Sequence, residues 1–182
     1  ASRRSLRAQP RAYLDLIDQE IQSLLDADVI EPACSSWNSN IVCVKKKNGD
    51  LRICVDMRRL NLAHKPFIDK YPLARIDQCM DALANRKLFS SLDVSASFHQ
   101  VPVAPEHRYK TAFCTRRGQF QFKKLTMGFS SSPAAYSRLM EKVLCGLLYN
   151  IAVAYIDDVV VIADSFDEML RNLQTVFDRF RT

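Results

Sequence analysis

Hydrophobic residues at Tyr13, Leu14, Ile17, Ile21, Leu24 and Leu25 recur at helical spacing just after Pro10, with acids on the other face. They predict an amphipathic helix ending near Asp28. Ile41 to Lys46 and Leu51 to Val55 are β-rich runs flanking Asn48-Gly49, the strongest short-range hairpin signal. Tyr71-Pro72-Leu73 reads as a turn into a helix ending near Asn85, with Ile76, Cys79, Met80 and Leu83 expected in the core. Leu88 to Val94 is a short apolar strand. Tyr109 to Phe113 and Gln119 to Phe122 read as two strands joined by Arg116-Arg117-Gly118; alternation puts Phe120 and Phe122 on one face and Gln119 and Gln121 on the other. Ser132-Pro133, an N-cap and a first-turn proline, opens a helix bearing Tyr136, Leu139, Met140, Val143, Leu144 and Leu147. A capping box, Ser165-Phe166-Asp167-Glu168, opens the last helix, whose expected buried face carries Met169, Leu170, Leu173, Val176, Phe177 and Phe180. The order fits an α+β fold, a sheet with helices on one face.

One stretch breaks the apolar pattern where breaking it is costly. Ile151 to Ala163 is a β-branched run with two adjacent carboxylates, Asp157 and Asp158, at its centre, and no Lys or Arg stands between Tyr149 and Arg171. Taking an ionised carboxylate out of water costs several kcal/mol unless a partner compensates, and a bound cation would do so. Neighbouring strand residues point to opposite faces, so both acids can serve one site only at a turn. Asp157 and Asp158 are therefore expected at a hairpin tip, between Ile151 to Ile156 and Val159 to Ala163. Taken alone, the pair also reads as turn chemistry between two buried strands. The metal reading needs a second carboxylate, and Asp93 near the end of the Leu88 to Val94 strand is the candidate.

Composition narrows the class without deciding it. At 182 residues, the chain is one large domain or two small lobes, and 48% hydrophobic with 25% charged residues argues against disorder. The net charge of +6 favours polyanionic partners modestly. Six cysteines, scattered without a Cys-x-x-Cys pair, are expected to be free thiols in a reducing intracellular compartment. No run approaches the roughly 18 to 20 apolar residues of a membrane span, so no membrane partner is expected. The opening is polar and starts with Ala, and the end falls inside a helical pattern, as in a piece of a longer chain.

Tyr155-Ile156-Asp157-Asp158 resembles the Tyr-x-Asp-Asp box of reverse transcriptases. Leu92-Asp93-Val94 through Phe98-His99-Gln100-Val101 resembles that family's preceding aspartate motif, Asp56-x-Arg58-x-Leu60-Asn61 a motif of its fingers, and Lys110-Thr111-Ala112-Phe113 a further box. Several boxes in the family's order make the match specific. The chain is identified as similar to the gypsy-type long-terminal-repeat retrotransposon reverse transcriptase, over about residues 17–182.

The resemblance implies a polymerase right-hand fold. Residues 1–35 would be a helical lead-in, 36–88 the first part of the fingers, and 89–182 a palm with an inserted fingers segment, ending before any thumb. It implies RNA-directed DNA polymerase activity, in which a primer 3′-hydroxyl on an RNA or DNA template is extended with deoxynucleoside triphosphates. Asp93 and Asp157 would hold two Mg²⁺ (or Mn²⁺) ions, with the Val94 carbonyl as a further ligand and Asp158 in support. Lys46 and Arg52, at a basic hairpin tip that on its residues alone could simply be solvated, would contact the triphosphate. Phe98 would exclude a ribose 2′-hydroxyl, and Met127 and Gly128 would support the nucleotide. Tyr155, Arg116, Arg117, Lys123 and Lys124 are candidate template–primer contacts, although the basic cluster also reads as solvated surface. Thumb, ribonuclease H and integrase regions of a parent polyprotein are implied partners, and a cytoplasmic retrotransposon particle the setting. Departures from the family pattern are Ala74 for a second proline, Ala96-Ser97 for Ser-Gly, Thr126-Met127 for Pro-Phe, and Ser130-Ser131-Ser132 for a Lys-Asn-Ala type segment. Two rival readings are a degenerate or domesticated copy that binds nucleic acid without catalysis, and an RNA-making polymerase, against which Phe98 argues.

Overall fold

The computed structural model describes residues 11–45 and 51–181; the side chains of Ala12, Lys45, Leu51 and Arg52 lie outside that description. The expected Asn48-Gly49 turn and Lys46 also lie outside it. In chain order the elements are α1 (Leu14–Asp26), β1 (Ile30–Pro32), β2 (Ile41–Lys45), β3 (Leu51–Val55), α2 (Arg58–His64), α3 (Ile76–Leu83), β4 (Leu88–Asp93), α4 (Pro105–Arg108), β5 (Phe113–Thr115), β6 (Gly118–Phe122), α5 (Ser132–Val143), β7 (Ala152–Tyr155), β8 (Asp158–Ala163) and α6 (Phe166–Arg181). Two compact units emerge, Ala1–Ile68 with Phe98–Ser132, and Asp69–Ser97 with Pro133–Thr182. Among the described residues no helix is long and apolar enough to cross a membrane. All six cysteines are free thiols.

The first unit is built on antiparallel pairing in the order β1-β6-β5 and on the β2-β3 hairpin. The expected alternation holds in β6: Phe120 and Phe122 are buried, and both rings stack near Phe113, at 6.1 and 5.2 Å between centroids. The apolar stripe of α1, Ile17 and Ile21, packs into the same core with Ile30, Ile41 and Met57. The helix stops where expected: Asp28 takes φ 55°, and Val29 and Asp28 donate their N–H groups to the Leu24 and Leu25 carbonyls at 2.9 and 3.0 Å. This is a Schellman ending with Asp in place of glycine.

Tyr109-Lys110-Thr111 is not the start of a strand but a 3-10 turn. The reason is Thr111, whose hydroxyl donates to the Arg108 carbonyl at 2.6 Å and accepts the Phe122 N–H at 2.9 Å, replacing ladder bonds with side-chain ones.

The second unit carries a three-stranded antiparallel sheet in the order β4-β8-β7. Val159, Val161 and Ala163 are fully buried and oppose Leu92, Ser90 and Leu88. The capping box of α6 forms, with Ser165 Oγ accepting the Glu168 N–H at 3.3 Å and the Glu168 carboxylate accepting the Asp164 N–H at 2.9 Å. The buried stripe of α6 is narrower than expected. Met169 and Val176 are buried, whereas Leu170, Phe177 and Phe180 are exposed.

The same correction applies to α3. Only Cys79 is buried, while Ile76 and Met80 are more than 60% exposed, because this two-turn helix packs one narrow side against β7. Residues 69–88 belong to the second unit.

Ile21 is fully buried at the centre of the α1 stripe. Ile21→Ala is expected to destabilise the first unit by about 2–5 kcal/mol, read from urea unfolding.

Candidate active site

The site begins with a strand register. In the β4–β8 ladder Asp93 is the direct partner of Asp158, just beyond Leu92 and Val159. Directly opposed residues point to the same face, so two carboxylates meet at the open end of the sheet, an arrangement that repels unless a cation neutralises it. β7 and β8 close as a tight hairpin with Tyr155 opposite Asp158, so the turn residues are Ile156 and Asp157. The expected tip is thus displaced by one position: Asp157 sits in the turn, and Asp158 is the first residue of β8. Ile156 takes φ 54°, the left-handed region that a β-branched side chain rarely adopts. The Val94 N–H, one residue past β4, donates to the Asp157 carbonyl at 3.3 Å and pins the turn to the end of β4.

Tyr136 on α5 reports how the acids converge. It is 1% exposed, and its phenol is pushed up to about 12, first by burial and then by the charges of Asp157 and Asp93. Both carboxylates therefore act on one point within the unit. The sequence placed Tyr136 on the helix's apolar stripe without a role; the available signal was a lone phenol in that stripe.

Among the described residues no group of three or more His, Cys, Asp and Glu side chains is gathered to hold a metal. What the chain supplies is Asp93 opposite Asp158 across the ladder, with Asp157 in the adjoining turn. Such a hard-oxygen set fits Mg²⁺, which takes one or two carboxylates and leaves positions for water and phosphate oxygens.

The other candidate residues belong to the first unit, apart from Tyr155, which is exposed opposite Asp158. Phe98 is half-buried in the 3-10 turn Ser97–Gln100. Ahead of that turn Ala96 takes φ 51°, one residue before Ser97, which stands where the family has glycine. Met127 is exposed, and Gly128 takes φ 83° with only the Val55 carbonyl near its missing Cβ, at 3.9 Å, so conformation rather than space calls for glycine. Asn61 fixes this loop from α2, donating to the Gly128 carbonyl at 2.7 Å and accepting the Ser130 N–H at 2.9 Å. The Arg52 backbone pairs with Val44, while its side chain and Lys46 lie outside the described residues.

Three of the basic candidates are engaged within the fold. Arg116 pairs with Asp18 at 2.6 Å and Asp15 at 2.8 Å, and Arg117 donates to Gln22 and the Asp18 carbonyl, so both tie the β5–β6 turn to α1. Lys123 is bonded to Asp28, a contact that holds the Asp28 carboxyl below its ordinary range. Lys124 acts on the same Asp28 charge through space.

Residues 44–182 match the family described as reverse transcriptase (RNA-dependent DNA polymerase). The chain belongs to the reverse transcriptase family. Its relatives include Pol polyproteins of Drosophila melanogaster retrotransposons, with transposon 412 at 35% identity over 94% of this chain and gypsy at 30% over 89%. The chain spans only 14% and 16% of those polyproteins' own lengths. Among solved structures, the prototype foamy virus protease–reverse transcriptase superposes with a TM-score of 0.85 at 24% identity, over 97% of this chain and 23% of that one. A foamy viral protease–reverse transcriptase in complex with double-stranded DNA gives 0.79 at 25% identity, over 97% of this chain and 30% of that one. The α+β arrangement is thus that of reverse transcriptase palm and fingers. Reverse transcriptase domains generally use divalent metals.

A phenol raised from 10.0 to about 12 is neutral in the folded chain at pH values where the unfolded chain ionises. Its contribution to stability is complete below the ordinary value and is lost as pH rises through the folded one. Tyr136→Phe is expected to flatten the fall in stability across that window, read by urea unfolding at its two ends.

Proposed function

We propose that this chain is the catalytic fingers-and-palm region of an RNA-directed DNA polymerase of a gypsy-type retrotransposon. The observation that carries this reading is the register of Asp93 against Asp158 with Asp157 in the adjoining turn. Asp93 and Asp157 would bind two Mg²⁺ ions, the Val94 carbonyl would add an oxygen, and Asp158 would support the pair. When bound, the ions supply charge neutralisation at the triphosphate and a more acidic primer 3′-hydroxyl.

The rest falls to positioning by the chain's own side chains, with no protein nucleophile required. Lys46 and Arg52 hold the incoming triphosphate from the hairpin tip, Met127 and Gly128 support the nucleotide, and Phe98 excludes a 2′-hydroxyl. Since Arg116, Arg117 and Lys123 are engaged in contacts within the fold, Lys124 and Tyr155 are the stronger candidates for the template–primer backbone. Relatives captured with double-stranded DNA and with an RNA/DNA hybrid support a primed RNA or DNA template as partner. The thumb, ribonuclease H and integrase regions of the parent polyprotein would complete the enzyme. Six free thiols suit a reducing cytoplasmic particle.

The test is Mg²⁺-dependent extension of a DNA primer on an RNA template by the parent polymerase carrying this chain, wild type against Asp157→Asn. Extension by the wild type, abolished in the variant, is expected. A wild type that binds the primed template and never extends it would overturn the reading in favour of non-catalytic binding.

A further inference from the structure

The segment leading from Asp69 to Ala74 is fastened to α5 by a set of contacts that the polymerase reading does not use. Arg138 reaches an Asp69 oxygen at 3.0 Å, and its guanidinium lies 4.6 Å from the centre of the Tyr71 ring. The Tyr71 N–H donates to Asp69 Oδ1 at 3.0 Å, and the Tyr71 hydroxyl donates to the Glu141 carboxylate in a short hydrogen bond. Arg138 and Glu141 stand one helical turn apart on α5, so the two contacts grip the segment from one helix face. The Glu141 bond, with smaller contributions from burial and charge, raises the Tyr71 phenol above its ordinary value.

Three residues past Tyr71, Ala74 lines a narrow cleft of about 20 Å³ together with Ser137, Met140, Glu141, Tyr149 and Ile156. That volume is room for about one water. Ile156 is the residue at φ 54° immediately before Asp157. A β-branched residue in that conformation is strained and persists only where its surroundings over-determine it.

We propose that Asp69, Tyr71, Arg138 and Glu141 form a clamp that positions the Ile156–Asp157 turn, by fixing the wall that Ala74 and Glu141 contribute to the cleft that Ile156 also lines. These are positioning residues: they act on the Asp157 carboxylate through Ala74 and Ile156 rather than by touching a ligand. α5 then meets the site at two points, through Tyr136, on which both acids act, and through the clamp. The proposal rests on the reading of Asp157 as a metal ligand.

The test uses this chain with Mn²⁺ in place of Mg²⁺, binding followed by electron paramagnetic resonance and backbone exposure by amide hydrogen exchange. Arg138→Ala is expected to weaken Mn²⁺ binding about ten-fold, the low end for groups that orient metal ligands at one remove. It is also expected to speed exchange at residues 155–158 while α6 keeps its protection. Tyr71→Phe removes one hydroxyl and should move both readouts in the same direction by less, and Arg138→Lys should restore them in part. Wild-type affinity and wild-type exchange at the turn in a folded Arg138→Ala chain would overturn the clamp. If Arg138→Ala loses α6 protection, Tyr71→Phe decides by the same two readouts. Asp157→Asn separates the two claims. If it leaves Mn²⁺ binding intact, the metal-ligand reading fails, and the clamp then stands or falls on exchange at the turn.

Discussion

Two like charges placed directly opposite each other across an antiparallel ladder set the terms for the rest of the second unit. Asp93 and Asp158 could have been kept apart by a shift of one residue in the β4–β8 register, but such a shift would turn the buried positions Val159, Val161 and Ala163 outward. The hydrophobic face therefore enforces an electrostatic conflict at the strand ends. A third carboxylate, Asp157, is added by a turn that holds Ile156 in a left-handed conformation. Apolar burial supplies the free energy, and the unfavourable charge is concentrated beside the strained turn, where a cation can neutralise it.

Helix α5 links these strains to the remainder of the unit. Tyr136 is buried where Asp93 and Asp157 both act on it, so the phenol stays neutral and adds no further negative charge below the acids. Two and five residues further on, Arg138 and Glu141 fasten the segment whose Ala74 lines the cleft with Ile156. A second proline is common in the family at position 74. Alanine here leaves that segment more dependent on its side-chain fastenings, since proline would have limited its backbone without them.

What could be read from the sequence was governed by the range over which each interaction acts. The β2–β3 hairpin, the alternation of β6 and the capping box at Ser165 are local, and each was legible from neighbours within a few residues. Helical periodicity located α3 and α6, yet it could not say how wide a stripe the sheet would cover, and so Ile76, Met80, Leu170 and Phe177 were placed inside when they are exposed. Partners far off in sequence were invisible. Arg116 finds Asp18 from 98 positions away, which turns a candidate nucleic-acid contact into a tie between a hairpin and α1. The carboxylates of the site were legible because charge interrupting a β-branched run is conspicuous, although the strand ends leave Asp93 and Asp158 exposed and Asp157 half-buried, so little of the expected desolvation cost arises; Tyr136 and the clamp were not, because each looks ordinary until its neighbours are known.

Under the proposed function, Asp93 and Asp157 would share one divalent-metal site. The most direct measurement is anomalous X-ray scattering from crystals of the chain soaked in Mn²⁺. The account requires an anomalous peak within about 2.0–2.3 Å of a carboxylate oxygen from each of Asp93 and Asp157. Mn²⁺ bound elsewhere, with both carboxylates left to water, would contradict it.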